Sequence, residues 1–382
     1  MKLLTLEAKI RNIRIQEIRM KKIISKKFQK SKKGKSQKRQ GLQKVTPRVN
    51  INFTLPKALT LFWKHPRNKL LKITNKFRNY YARKAICIHL DFSETKKMFV
   101  DGSLYLLAEL DTLKSTNSDI TFKLIPSKDL IVNQVLKQTG ILDLLRVSLQ
   151  FEEEFDETVR YWKYSSGSKV ELDPAEEMLS DFDEILSEKS SKNIYNGITE
   201  ALTNCHHHAY IEKRFINDPQ KAKKWWIFSQ EKDNKLTICV CDLGIGIPKS
   251  LVRNSENVQE DWFSNLKDFL QRHREKYDKD SASIKAAIEI GNTRTNLSHR
   301  GKGLNQIINQ ISTFCEHKAS IAIFSNKGSY IINRGMIEDR PITNLVNGFS
   351  IPFSNSIDGT VIVWQIPIDK QMSIPELGTS HE

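Results

Sequence analysis

The sequence lacks any apolar run long enough to cross a membrane, because no stretch approaches the roughly 18 apolar residues that a spanning helix needs. The basic residues near the start are not followed by the apolar region of a signal peptide. Cysteine is also scarce, and five thiols, an odd number, in 382 residues do not suggest a disulfide framework. These absences predict a cytoplasmic protein without a transmembrane segment.

Acidic residues are scarce in the first part of the chain. Residues 1 to 84 carry 26 Lys and Arg against two acids, a net charge of +24, whereas the rest carries 35 against 42, a net charge of −7. This basic arm has little apolar material to form a core, so we expect it to be largely disordered or helical only on contact. Its charge is typical of a segment that binds nucleic acid, and a solvated tail without a specific partner is an equally favoured interpretation, with an anionic membrane surface as the third.

Three short segments in a fixed order carry the chemistry of the second half. They are EALTNCHHHA at 200 to 209, DLGIGIP at 242 to 248, and RGKGL at 300 to 304. In the first segment, Glu200 and Asn204 are four residues apart, so on a helix both side chains leave from one face. A carboxylate beside an amide oxygen could hold water and magnesium. The three histidines that follow turn about 100° apart on a helix and cannot converge on one metal ion.

The second and third segments are glycine-rich. The second follows the apolar run LTICVCD, which predicts a buried strand that ends at Asp242. Gly244 and Gly246 then allow the backbone to turn close to a ligand. In the third segment, Gly301 and Gly303 flank Lys302 just before a helical pattern, so backbone amides and a helix N-terminus would face an anion. A triphosphate is the natural candidate.

The ordered set resembles the nucleotide-binding motifs of the GHKL, or Bergerat-type, ATPase superfamily, which includes gyrase, sensor histidine kinases, mismatch-repair proteins and heat-shock chaperones. The segment DGTVIVWQIP at 358 to 367 resembles the closing strand of that domain. The resemblance implies ATP and Mg²⁺ as cofactors, Glu200 as the general base, and Asn204 as the magnesium ligand. It further implies that the nucleotide contacts Asn204, His207, His208, Asp242, Gly244, Gly246, Thr293, Gly301, Lys302, Gly303, Leu304 and Thr360. Within this set, Asp242 would accept a hydrogen bond from the adenine amino group, supported by Thr360.

Residues 85 to 150 alternate strand-like runs at 85–93 and 120–127 with helix-like runs at 98–113 and 130–145, which predicts a small α/β unit. The unit resembles a divergent STAS domain. Ser103 stands near the position where antagonist proteins of that family carry a phosphorylated serine, and a helix cap is the simpler interpretation. We therefore predict an α/β protein with five parts: a basic arm (1 to 84), a STAS-like domain (85 to 150), an acidic connector (151 to 181), an ATP-binding domain that is a two-layer α/β sandwich (182 to 370), and a tail (371 to 382).

The resemblance also bears on activity and regulation. The chain has no histidine on a long helical hairpin before Glu200, which disfavours autophosphorylation on histidine. Residues 248 to 299 correspond to the lid that closes over the nucleotide in this superfamily. The resemblance therefore implies an ATPase, or a Ser/Thr protein kinase like the anti-sigma kinases, acting on a protein partner in signalling. The alternative is an ATP-gated binding switch with negligible turnover that anchors to nucleic acid or another polyanion through the basic arm.

Overall fold

The computed structural model of the chain describes residues 48 to 368 with internal gaps. The gaps are at 152–153, 161, 171–185, 187, 217, 219–221, 256–259, 290–303, 305–318 and 334–347. Residues 1 to 47 and 369 to 382 also lie outside the description. Within the described part, no helix is both long and apolar enough to cross a membrane.

The first half of the described chain is built on a small parallel sheet. Its strands are β1 (Val49–Thr54), β3 (Ile86–Asp91) and β5 (Thr121–Ile125), in the order β1-β3-β5. The short strands β2 (Ala58–Leu59) and β4 (Lys97–Met98) pair separately in a two-stranded parallel sheet. The sequence predictions of β3 and β5 are confirmed. Parallel strands need crossover connections, and helices supply them here.

Four helices accompany these strands: α1 (Lys64–Phe77), α2 (Val100–Thr116), α3 (Leu130–Gln138) and α4 (Ile141–Leu145). We call residues 48 to 145, with these strands and helices, the N-terminal layer. The helix α2 is buried along almost its whole length, as expected for a helix enclosed on more than one side. Gly102 allows its close approach to the β2 segment, since a Cβ atom there would lie 2.4 Å from the carbonyl carbon of Leu59.

The second half is built on a six-stranded antiparallel sheet. Its strands are β6 (Lys163–Gly167), β7 (Trp225–Lys232), β8 (Lys235–Asp242), β9 (Ser320–Ser325), β10 (Gly328–Asn333) and β11 (Thr360–Pro367). Their order is β10-β9-β11-β8-β7-β6, and each neighbouring pair is antiparallel. The last strand therefore inserts between β8 and β9. The short helix α5 (Glu157–Arg160) precedes β6.

Helices cover both faces of the large sheet. The helices α6 (Glu188–Asn204), α7 (Ile247–Ser255), α8 (Glu260–Arg272) and α9 (Lys279–Glu289) belong to the second half. Apolar side chains of α6 and α9 share one core cluster with the sheet face that carries Ile238, Ile323 and Ile362. The opposite face, with Cys239 and Phe324, shares its core cluster with the N-terminal layer. The two halves thus form one compact unit that begins at Arg48.

The α/β class is confirmed, but three boundaries predicted from the sequence need correction. The basic arm does not extend to residue 84, because β1 pairs with β3 and α1 buries Leu70, Leu71 and Phe77 while its lysines face outward. The acidic connector contains β6, an edge strand of the large sheet. The interval predicted as a lid contains α9, whose Ile284 is fully buried in the core.

Ser103 is not a helix cap. The cap position of α2 is Phe99, and the amide of Ser103 donates to the Phe99 carbonyl oxygen at 3.0 Å, one turn inside the helix. The Ser103 side chain is fully buried, and its hydroxyl has no hydrogen-bond partner among the described residues. A kinase cannot reach this hydroxyl unless α2 leaves the core.

Candidate functional site

The helix α6 carries the first predicted pair. Its apolar stripe, with Ile194, Ile198 and Leu202 buried against the large sheet, fixes which face turns outward. Glu200 and Asn204 lie on the half-buried side, one turn apart, as their spacing predicts. Burial raises the pKa of the Glu200 carboxyl, and the nearby His207 partly opposes that rise.

Asn204 ends the α-helical part and is the residue from which a wider turn begins. Its Nδ2 atom is buried and has no hydrogen-bond partner in the described part of the chain. A buried amide group without a partner is unfavourable, so such a group is a candidate for ligand contact. Among the described residues, no group of three or more His, Cys, Asp and Glu side chains is arranged to hold a metal ion. A magnesium ion at Asn204 would therefore need water or ligand oxygens as well.

The next five residues, Cys205–Ala209, form one turn of π-helix. Such wider turns within α-helices frequently mark functional sites. The ring of His207 is exposed and that of His208 is half-buried. The ring centroids of His206, His207 and His208 are 5.5 and 6.2 Å apart in sequence order. The rings therefore lie side by side and do not converge on a point.

Asp242 ends β8, as its sequence pattern predicts, and its side chain is buried. The carboxylate accepts a hydrogen bond from the Gly244 amide at 2.9 Å, and the Cys205 thiol lies 3.8 Å from its other oxygen. Burial raises the pKa of Asp242 to about 6, and hydrogen bonds from Gly244, Thr360 and Cys205 partly offset that rise. No Lys, Arg or His among the described residues forms an ion pair with it.

The glycine loop after Asp242 packs directly on the end of the π-helical turn at Cys205–Ala209. A Cβ atom at Gly244 would lie 2.1 Å from the carbonyl oxygen of Ala209, so only glycine fits there. The Ile245 amide donates to the same oxygen at 2.8 Å. This contact brings the first two predicted segments together, with Asn204 and Asp242 on adjoining elements.

Gly246 has a positive φ of 81°, which favours glycine. A Cβ atom there would also lie 2.5 Å from the Oδ1 atom of Asn326. The Ile247 amide donates to the Ser325 hydroxyl at 2.8 Å. The loop is thus held from both sides, by the π-turn and by the end of β9.

The insertion of β11 completes this arrangement. Thr360 pairs with Asp242 on one side and with Ser325 on the other. The hydroxyl oxygens of Thr360 and Ser325 are 3.1 Å apart. Gly359 permits the approach, since a Cβ atom there would lie 2.3 Å from the carbonyl oxygen of Asp242. The predicted pair of Asp242 and Thr360 is therefore adjacent in the fold.

The third predicted segment cannot be placed. Thr293, Gly301, Lys302 and Gly303 lie outside the described residues. Leu304 is described, and its half-buried side chain packs on the apolar cluster between the large sheet and α6. The role predicted for these residues at the phosphates stays a prediction.

The sequence patterns missed several residues of this site. Ser325 ends β9 and Asn326 begins the β9–β10 turn, and the composition SNKG was the available signal for a hairpin there. Asn326 holds the glycine loop by donating to the Ile245 carbonyl oxygen at 3.0 Å. Tyr210 directly follows the first segment, and its hydroxyl accepts from the Leu243 amide at 3.1 Å. Burial raises the pKa of the Tyr210 hydroxyl, which therefore stays protonated.

A separate cleft of about 730 Å³ opens between the N-terminal layer and the far end of the large sheet. Its lining includes Phe99, Ile131, Trp162, Lys232 and Lys235. None of the predicted site residues that the structure describes lines it. The described residues of the predicted site and this cleft therefore lie in different parts of the molecule.

Comparison with known proteins does not assign the chain to a family. No protein-family model matches it, and a search of curated proteins finds no significant relative. The functional argument therefore depends on the residues and their geometry.

Proposed function

We propose that this chain is a Mg²⁺-dependent ATP-binding protein of the Bergerat type, with the nucleotide held beside Asp242, the glycine loop and the end of α6. On this proposal it hydrolyses ATP or transfers the γ-phosphate to a protein serine or threonine in signalling. The N-terminal layer would be a divergent STAS-like module. Residues 1 to 47, the basic part outside the described chain, would bind nucleic acid or another polyanion.

The buried carboxylate of Asp242 is the observation that carries the proposal. A buried carboxylate normally requires a cation nearby, and no ion pair to Asp242 exists among the described residues. Above its pKa of about 6 the group is ionised and can only accept hydrogen bonds. An adenine amino group is a neutral donor that suits such an acceptor, and a perturbed carboxyl of this kind is a typical feature of functional sites.

The surrounding residues suit the remaining parts of a nucleotide. The close backbone approaches at Gly244, Gly246 and Gly359 are to other parts of the protein, and they hold the glycine loop next to Asp242, where the base would bind. Asn204 offers an amide oxygen to magnesium, and Glu200, with its raised pKa, offers a proton acceptor on the same helix face. Bound ATP would supply the transferable phosphoryl group.

Titration of fluorescent ATP in the presence of Mg²⁺ tests the proposal. We expect Asp242→Asn to weaken binding about 10- to 100-fold, the range for loss of a hydrogen bond to a charged group. Asp101→Asn is the matched control, because Asp101 is also buried, burial likewise raises its pKa to about 6, and it lies in α2. The control should bind like the wild type. Absence of ATP binding by the folded wild-type protein would refute the proposal.

Substitution of Glu200 distinguishes the hypothesis of an enzyme from that of an ATP-gated switch. If the protein turns ATP over, Glu200→Ala should remove turnover and leave the affinity for ATP intact. If the wild type binds ATP with Mg²⁺ but has no turnover with candidate protein substrates or water, the switch is the correct interpretation. Val361 and Val363 of β11 share a core cluster with the N-terminal layer, which gives that interpretation a physical basis.

A further inference from the structure

The turn that precedes β11, residues 357 to 359, controls where Thr360 lies. Asp358 has a positive φ of 48°, which is uncommon for a residue other than glycine. Its carboxylate accepts from the Ser356 hydroxyl at 2.7 Å, and its amide donates back to the same hydroxyl at 3.0 Å. The next residue, Gly359, lies against the backbone of Asp242. A change in this turn would therefore move Thr360 relative to Asp242.

The N-terminal layer holds the 357–359 turn directly. Arg78, which follows α1, forms an ion pair with the carboxylate of Asp358. The Tyr105 hydroxyl of α2 donates to the carbonyl oxygen of Ile357 at 3.0 Å. Both contacts join residues more than 250 positions apart in sequence, so they depend on the packing of the two halves.

Arg214 adds a second, buried connection. Its guanidinium donates to Glu109 of α2 at 3.0 Å, to the Tyr81 hydroxyl at 3.0 Å, and to the Asp358 carbonyl oxygen at 3.5 Å. Burial alone would lower the pKa of Arg214, but Glu109, Tyr81 and Asp218 outweigh it and raise the pKa. Arg214 is therefore a permanent cation in the core, between α2 and the turn.

The other end of the turn reaches the glycine loop. The Ile357 amide donates to the Asn326 carbonyl oxygen at 3.0 Å, and the Asn326 side chain donates to Ile245 at 3.0 Å. A continuous chain of hydrogen bonds thus runs from α2 through the turn to the loop after Asp242. These contacts link the N-terminal layer to the glycine loop physically. Whether a change at one end alters binding at the other is a matter for measurement.

We propose that the N-terminal layer regulates the proposed adenine site beside Asp242, with Arg78 as the positioning residue that holds the 357–359 turn and thereby Thr360 at the start of β11. This inference rests on the proposed function. Binding of adenine and docking of α1 and α2 are then reciprocally coupled, so a nucleotide stabilises the layer, and a partner that displaces the layer releases the nucleotide.

The test compares three probes, ATP, GTP and inorganic tripolyphosphate, on the full chain. For Arg78→Gln we expect ATP affinity to fall about tenfold, selectivity for ATP over GTP to fall with it, and tripolyphosphate affinity to stay unchanged. Asp358→Asn should have the same effect, and the double variant should be no worse than either single variant. Arg83→Gln, an exposed cation five residues further on, is the matched control and should bind like the wild type.

The outcomes separate the two proposals. If the wild type does not bind ATP, the proposed function itself fails. If the wild type binds ATP but Arg78→Gln and Asp358→Asn retain its affinity and selectivity, the inference is wrong and the proposed function stands. A parallel loss of ATP and tripolyphosphate affinity would also overturn the inference, because it would indicate general damage to the fold.

Discussion

The two faces of the large sheet differ in the side-chain contacts that they make with the helices packed on them. On the face toward α6 and α9 the core consists mainly of apolar side chains such as Ile238, Ile323 and Ile362, together with a hydrogen bond from the Ser329 amide to the Ser281 hydroxyl of α9 at 3.0 Å. On the face toward the N-terminal layer, apolar packing is interrupted by buried polar contacts. Asp111 of α2 accepts from the Trp226 indole at 2.8 Å, and Glu109 pairs with Arg214.

The difference indicates what each face contributes. Apolar packing stabilises in proportion to buried area and is non-directional. Hydrogen bonds and ion pairs in the core are costly when misaligned, so they favour one position of α2 over the sheet. The polar face is also the one whose contacts reach Asp358. We therefore interpret the apolar packing on both faces as the source of stability, and the additional polar contacts toward the N-terminal layer as what fixes the position of α2.

Arg214→Met is the sharpest way to break this comparison. It leaves the buried carboxylate of Glu109 without its ion pair, so we expect the free energy of unfolding to fall by about 3–5 kcal/mol. Removal of one buried methyl group on the other face, in Ile323→Val, should cost about 0.5–1.5 kcal/mol. Chemical denaturation measures both. Equal losses for the two variants would contradict the expected cost of leaving the Glu109 carboxylate buried without its ion pair.

The pH dependence of stability gives the next largest effect. Burial raises the pKa of Asp242 to about 6 from the ordinary value of 3.8, so the folded state binds this proton more tightly than the unfolded state. Ionisation of Asp242 therefore costs more free energy in the folded state than in the unfolded state. This cost is absent below about pH 4 and complete above about pH 6, where the free energy of unfolding is lower by about 3 kcal/mol. Relative to Asp242→Asn, the wild type should therefore lose stability as the pH rises from 4 to 7. A constant difference between the two proteins over that range would contradict the raised pKa.

The smallest expected effect on stability is that of a change at Asp111. Asp111→Asn keeps one acceptor for Trp226 but removes the charge that pairs with Lys224, so we expect a loss of about 1 kcal/mol in the free energy of unfolding. The control is Asp143→Asn, which removes an exposed partner of Lys137 and should change stability by less than about 0.5 kcal/mol. If the control is the more costly change, the polar contacts of α2 do not fix its position.

Sequence patterns were sufficient where an element obeys one period and ends in recognisable residues. The alternating run before Asp242 predicted β8, and the helical spacing of Glu200 and Asn204 predicted their common face. The helix-like run from 130 to 145 is in fact two helices, because Gly140 has a positive φ of 75° and interrupts it. The sequence shows a glycine at this position, but it does not predict that the glycine adopts a left-handed conformation and ends the first helix.

The missed elements have physical reasons. The lysines of α1 dominated its composition and concealed the apolar stripe of Leu70, Leu71 and Phe77. The strand β6 reads KYSSG, which has no alternating pattern, and it forms only through its pairing with β7. The ion pair of Glu109 and Arg214 joins residues 105 positions apart, so only the tertiary fold brings them together.

A structure of the full chain with Mg²⁺ and a non-hydrolysable ATP analogue would test the central claim most directly. The account predicts that the adenine amino group donates to Asp242 beside Thr360, with the phosphates toward Asn204. An analogue bound instead in the cleft lined by Lys232 and Lys235, with Asp242 untouched, would contradict it.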